Sequence, residues 1–234
     1  MIDIKALRDS EANIVILGSH ADVIQSMLDY DYLAGKRTPS IVAIIASGRK
    51  QERYFWGETE ITLPVVSSLA LLSETKREKV TAALNVQSAR RILSSTKQAI
   101  ELLPSLQIVD IFAEQTPEAH SLDLDKLSAE KNVMIVGPAS VGVLIPGQLK
   151  LGAIGGTRHP QLSSADILEV GDTAVVSTSG GMVNELIHTV TGVGLGISFA
   201  IALGGDRFPI TTPAQALLLA EADIPYEKVR EMDD

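Results

Sequence analysis

The sequence contains no cysteine. That excludes disulfide-stapled scaffolds, thiolate zinc sites and thiol nucleophiles, and it fits a reducing, cytoplasmic setting. Basic charge is also short: 20 Lys and Arg stand against 29 Asp and Glu, a net charge of −9. That balance argues against nonspecific nucleic-acid binding and requires any anionic ligand to be held by local devices. Aromatic residues make up only 4%, and no stretch approaches the roughly 20 continuous apolar residues of a membrane helix. Met1 to Ser10 is charged and lacks the apolar core of a signal peptide. Neither a nucleic-acid nor a membrane partner is expected. What is present is 45% hydrophobic residues and 18 glycines in 234 residues. This suits an aliphatic interior crossed by many turns, in one large domain or one complete domain and part of another.

Short β-branched runs bounded by turn residues alternate with segments of helical period, the pattern of βαβ units around a mostly parallel sheet. Ile14 to Gly18 is the first run, and it passes through Ser19 and His20 into a helical stretch whose Val23, Ile24, Met27, Leu28 and Tyr32 recur every three or four residues. Ile41 to Ala46, Tyr54 to Gly57, Ile61 to Val66, Val80 to Val86, Ile108 to Ala113 and Val133 to Val136 are further strands. Helices are expected from Gln87 and Ser88 to about Leu103, and after Thr116 and Pro117. Gly137 to Gly156 is rich in Gly and Pro and reads as extended. His159 to Gly171, interrupted by Pro160 and Ser163-Ser164, reads as a connector, with one domain over 1–158 and a second, incomplete one over 172–234. After it come a strand at Ala174 to Ser177, a helix from Met182 to Val190, a strand at Ile197 to Leu203 and a helix from Thr212 to Ala222.

In an open parallel sheet, ligands collect where strands run into helix N-termini, because free backbone N–H groups and the helix dipole point there. Gly18-Ser19-His20-Ala21 is one such turn, with a single glycine and without the G-x-G-x-x-G spacing of a dinucleotide fingerprint. An ordinary tight βα turn accounts for it equally. The second strand ends on Gly48-Arg49-Lys50 rather than on the acidic residue that holds a ribose hydroxyl in NAD-binding folds. Two cations on a glycine turn suit a sugar phosphate, as in NADP or the 3′-phosphate of coenzyme A, and a solvated loop is the plainer account. Asn85, Ser88 and Arg90 add polar donors and a cation at the next helix start. The sharpest local signal is Val175-Val176-Ser177-Thr178-Ser179-Gly180-Gly181-Met182. Its glycines bare backbone amides, and Ser177 and Ser179 offer hydroxyls to a phosphate or carboxylate; N-capping by Ser179 explains part of the pattern without a ligand. The G-x-S-x-G spacing of a nucleophilic serine is absent. The four histidines, His20, His120, His159 and His188, show no metal-ligand spacing.

Taken in order, these blocks resemble a known family. They are Gln25-Ser26-Met27-Leu28-Asp29-Tyr30-Asp31-Tyr32, Tyr54-Phe55-Trp56-Gly57, Ala113-Glu114 and Val136-Gly137-Pro138-Ala139-Ser140-Val141-Gly142. Pro146-Gly147, Lys150-Leu151-Gly152, Gly155-Gly156, Ser177 to Met182 with Asn184-Glu185-Leu186, and Gly204 to Pro209 continue the series. From about Ile14 to Pro209 the sequence resembles the CoA-binding part of ATP-citrate lyase and, more distantly, the alpha subunit of succinyl-CoA synthetase. The resemblance implies an α/β fold: a Rossmann-like CoA-binding domain with a mostly parallel sheet, followed by the start of a flavodoxin-like ligase domain. It implies coenzyme A held by Gly18, Ser19, Gly48, Arg49, Lys50, Asn85, Ser88, Arg90 and Glu114, and citrate by Ser177, Ser179, Gly180 and Gly181. In such enzymes ATP phosphorylates a histidine, the phosphoryl group passes to a carboxylate, and CoA attacks the acyl phosphate.

Departures from the family are equally specific. Asp22 stands where the lyases tend to carry a basic residue, and Ala46 where an aromatic often lies near the adenine. The Gly-His-Ala-Gly loop that carries the phosphohistidine does not occur, and the match fades after Pro209, before one helix and an acidic tail, Glu227 to Asp234. The chain is therefore expected to be inactive alone and to rely on ATP-grasp and citrate-synthase-like partner chains or domains, which bring ATP and Mg, in a cytoplasmic oligomer. A non-catalytic CoA or nucleotide sensor is the alternative that the missing histidine favours. An NADP-linked oxidoreductase rests only on Gly48-Arg49-Lys50.

Overall fold

A computed structural model of the chain describes residues 3–163 and 167–224. The acidic tail from Glu227 and the middle of the connector read at His159 to Gly171 lie outside these residues. The chain begins with α1 (Ile4–Asp9), capped by Asp3, whose carboxylate accepts the Ala6 N–H. There follow β1 (Ile14–Leu17), α2 (Ala21–Leu33), β2 (Ile41–Ile45), β3 (Gln51–Trp56), β4 (Thr59–Val66), α3 (Glu74–Lys79), β5 (Ala82–Asn85), α4 (Ile92–Leu102), β6 (Ile108–Ile111), α5 (Glu118–Lys131) and β7 (Met134–Val136). The second half holds β8 (Gly142–Ile145), β9 (Leu149–Gly152), α6 (His159–Leu162), β10 (Thr173–Ser177), α7 (Gly180–Gly192), β11 (Ile197–Ala202) and α8 (Pro213–Asp223).

Seven strands form one sheet in the order β3-β4-β2-β1-β5-β6-β7. All neighbours are parallel except the edge hairpin β3–β4. Its strands alternate between two cores, as the two-residue period of a strand requires. Ile14 and Ile16 face one core, and Val15 and Leu17 face the other, against α4 and α5. A second sheet, β10-β11-β8-β9, lies over the first core. Val143, Ile145, Leu149, Leu151, Phe199 and Ile201 pack there with Ile14, Ile16, Leu84 and Val136. The outer face of the second sheet buries Val175, Val183, Ile187 and Ala200, joined by Tyr30 of α2.

Two differences from the sequence reading have clear causes. Gly137 to Gly156 is not simply extended: it holds the antiparallel hairpin β8–β9. Glycines mask the strand alternation there because the backbones approach too closely for side chains. A Cβ on Gly142, whose φ is +125°, would lie 1.8 Å from the Leu151 carbonyl oxygen. The connector contains a one-turn helix, α6, and Pro160 is accommodated because it falls in the first turn, where its missing N–H has no helical partner. The four-stranded sheet also draws β8 and β9 from before residue 158 and β10 and β11 from after 172.

Candidate functional site

The strand order reverses at β1, which feeds β2 on one side while β5 returns on the other. Such a switch point opens a crevice at the C-terminal ends of the strands. A cleft of about 630 Å³ lies there, lined by Gly18, Ala46, Ser47, Ser68, Gln87, Ser88, Arg91 and further serines and a glutamine of α4. Gly18 and Ser88 of the expected CoA contacts thus line one cleft. The cation lining it is Arg91 rather than Arg90. Asn85 is fully buried and is occupied internally: its amide donates to Ser95 Oγ at 2.8 Å and Thr96 Oγ1 at 3.0 Å, while its Oδ1 accepts the Gln87 N–H at 3.2 Å. It shapes the loop that carries Gln87 and Ser88.

Beside this cleft, Ser19 and Arg49 converge on Glu52, a residue that sequence reasoning missed. Ser19 Oγ donates to Glu52 Oε2 at 3.1 Å, Arg49 Nε sits 3.0 Å from Glu52 Oε1, and the Tyr54 hydroxyl donates to Glu52 Oε2. Arg49 Nη2 also reaches Ser19 Oγ at 3.4 Å. Burial, and then the adjacent Glu52 carboxylate, raise the Tyr54 pKa, so its hydroxyl remains a donor. The signal was present in the alternation of β3, where Glu52 occupies an inward position with Tyr54. Gly48 and Lys50 stay exposed on the turn before β3.

A second cleft, about 390 Å³, is lined by Glu114, Gln115, Ala139, Thr178, Ser179, Gly180, Gly205 and Asp206. Glu114 therefore sits with the expected citrate residues and does not line the first cleft. Ser179 caps α7, accepting the Met182 N–H at 3.4 Å, and Ser177 Oγ accepts the Ser179 N–H at 3.1 Å. The two glycines differ. A Cβ on Gly180 would lie 2.5 Å from Val141 Cγ1, whereas one on Gly181 would meet open space. Asp206 closes the rim by accepting the Gln115 and Thr116 N–H groups at 3.1 and 2.9 Å, and Arg207 pairs with Glu118 at 3.2 Å.

Two ionisable groups that line neither cleft, Lys150 and Asp110, are buried in the interior. Lys150 on β9 is 1% exposed, and its ammonium donates to Ser26 Oγ at 3.0 Å and to the Gly152 carbonyl at 2.7 Å. Burial lowers its pKa to about 7, against the opposing pull of Asp31 and Asp29. Asp110 on β6 is fully buried; the nearby Ser140 hydroxyl donates to the Ala202 carbonyl, so neither carboxylate oxygen receives a hydrogen bond of good geometry, and burial, opposed by Ser140, raises the Asp110 pKa to about 8. Among the described residues no group of three or more His, Asp or Glu could hold a metal ion, and no helix is long and apolar enough to cross a membrane.

No family model matches the chain. It is 36% identical over 219 residues to a probable ATP-citrate synthase subunit 1 of Schizosaccharomyces pombe, a match that covers 93% of this chain and 35% of that protein. The structure of ATP citrate lyase from Methanothrix soehngenii in complex with citrate and coenzyme A superposes on it with a TM-score of 0.85 and 29% identity, covering 95% of this chain and 35% of that one. An acetyl-coenzyme A synthetase from Ca. Korarchaeum cryptofilum shares the fold, with a TM-score of 0.60 at 15% identity, over 87% of this chain and 40% of that one. The chain thus spans about a third of the length of these two citrate enzymes and under a fifth of others, such as the ATP-citrate synthase of Homo sapiens, at 18%.

Proposed function

We propose, for a chain homologous to one segment of the ATP-citrate lyases, that it binds coenzyme A at the first cleft and citrate or its phosphorylated form at the second. It acts as the citryl-CoA-forming segment of an ATP-citrate-lyase-type ligase. What carries the proposal is the extent of the match, nearly the whole chain, to a lyase solved with both ligands. The residues present fit these guests. The first cleft has a volume in the usual range for small-molecule sites and a polar lining, with Arg91 inside it and Arg49 and Lys50 on the turn beyond Ser47. Those cations suit the phosphates of CoA, which when bound supplies a thiol nucleophile.

At the second cleft the Gly180 and Gly181 amides begin a helix of 13 residues, a place where the dipole and free N–H groups favour a carboxylate or phosphate. Backbone amides held there would stabilise charge as it shifts from phosphate to carboxylate. Residues 1–158 act as the CoA-binding unit and 172–234 as the beginning of the ligase unit. The phosphohistidine, ATP and Mg come from outside this chain, from ATP-grasp and citrate-synthase-like partners in a cytoplasmic oligomer. Calorimetry tests the binding half directly: CoA is expected to bind with a dissociation constant below the millimolar range. An absence of heat at millimolar CoA would overturn the reading.

A further inference from the structure

A carboxylate at an inward position of a strand is costly to desolvate unless it is paired. Glu52 is paired from three places: the turn after β1 through Ser19, the turn before β3 through Arg49, and its own strand through Tyr54. The pair is lopsided, since the Glu52 side chain is 7% exposed and that of Arg49 55%. Glu52 Oε1 faces the inner, Nε side of the guanidinium as an ion pair that lacks hydrogen-bond geometry, Nη2 leans on Ser19, and Nη1 has no partner among the described residues. An arginine held by one edge keeps its planar fork in a fixed orientation, so less rotamer freedom is lost when the other edge meets a phosphate.

We propose that Glu52 is a positioning residue for phosphate recognition: it fixes Arg49 over the Ser19 turn and thereby gives the site its preference for a phosphomonoester over a bare hydroxyl. The inference rests on CoA being the ligand. Because the carboxylate is already shared by Ser19, Arg49 and Tyr54, the turn itself offers little to an anion, and discrimination falls to the outward edge of Arg49.

The test is calorimetric titration of the full chain, its Glu52→Gln and Arg49→Ala variants and the double variant with CoA and with 3′-dephospho-CoA. The wild type is expected to prefer CoA by about tenfold, the scale of one hydrogen bond to a charged group. Arg49→Ala removes the preference. Glu52→Gln, which keeps an acceptor for Ser19 and Tyr54 but no charge for Arg49, weakens CoA about fivefold and leaves dephospho-CoA unchanged. In the Arg49→Ala background it has no further effect. Equal weakening of both ligands by Glu52→Gln, or an intact preference in that variant, would overturn the proposal. A wild type that binds neither ligand removes the CoA reading and this one with it, whereas one that binds both equally removes only this one. Should Glu52→Gln fail to fold, the Arg49 Nε–H resonance of the ligand-free wild type decides. Restricted motion of the Nε–H vector in nitrogen relaxation supports the tether, and motion like that of free arginine overturns it.

Discussion

Asp110 sits in the middle of β6 with no hydrogen bond of good geometry to either carboxylate oxygen, and burial, opposed by the nearby Ser140 hydroxyl, lifts its pKa from an ordinary 3.8 to about 8. A carboxyl whose folded pKa lies above its unfolded one contributes stability that is fully present below about pH 4 and is lost as pH rises through about 8. Asp110→Asn, of the same shape and never charged, removes that loss. It is expected to raise the melting temperature by at least about 3 °C at pH 8.5 and to change it little at pH 4. Thermal melts at the two pH values check this; an equal shift at both would contradict it. Lys150 has the opposite linkage, because its folded pKa of about 7 lies below the ordinary lysine value of 10.5. Its favourable contribution is complete above about pH 10.5 and falls away as pH drops toward 7. The wild type should therefore gain stability between pH 8 and 10, and Lys150→Met should flatten that part of the profile. Neither group was legible in the sequence. One charged letter in Ile108-Val109-Asp110-Ile111 or Leu149-Lys150-Leu151 gives no sign of whether its side chain meets water.

At the scale of elements, α7 shows what the sequence did carry. The run Thr173–Ser177 followed by Ser179, Gly180 and Gly181 is a β-branched strand stopped by an N-capping residue, and each feature is local. The difference between the two glycines is not local, since it depends on Val141 from another element. Gly180→Ala forces a methyl group against the Val141 side chain and should destabilise the chain by about 1–3 kcal/mol. Gly181→Asp has room, so it should fold normally while placing a carboxylate where an anion would meet the helix N-terminus. Loss of citrate binding at unchanged melting temperature is the expected outcome, and calorimetry with citrate alongside a melt reads both. Retained citrate affinity in a folded Gly181→Asp protein would place the ligand elsewhere. The parallel strands and their helices were legible for the same reason as α7: period and punctuation are written along the chain. The β8–β9 hairpin was not, because glycines at close backbone approaches erase the alternation, and the convergence of Ser19 and Arg49 on Glu52 joins residues from separate segments.

Over the whole molecule the two sheets share one core, although the chain passes from the first to the second only once, after β7. β8 pairs antiparallel with β11 through Leu144 and Ala200, Val143 and Ile201, Gly142 and Ala202. Arg8 of α1 binds Asp223 of α8 at 2.9 Å, tying the first helix to the last described one. Burial opposes ionisation of Asp223, but its hydrogen bonds from Arg8 and Ser198 win and hold its pKa low. A fragment ending at residue 158 would keep the seven-stranded sheet and the β8–β9 hairpin. It would lose β11 and α8, and with them Phe199, Ile201, Leu203, Ala216 and Leu219 from the shared core. The open edge of β8 and the uncovered apolar face around Val143 and Ile145 are the kind of surface that drives association. The 1–158 fragment is accordingly expected to aggregate or to bind a hydrophobic dye. The full chain should instead melt in one transition, seen alike by far-ultraviolet circular dichroism and by the fluorescence of Trp56 at the edge of the first sheet. A monomeric fragment melting within a few degrees of the full chain would show that the first sheet needs nothing from beyond residue 158. In that case residues 1–158 would fold apart from the rest of the chain, and the shared core would be a docking surface between two independent bodies.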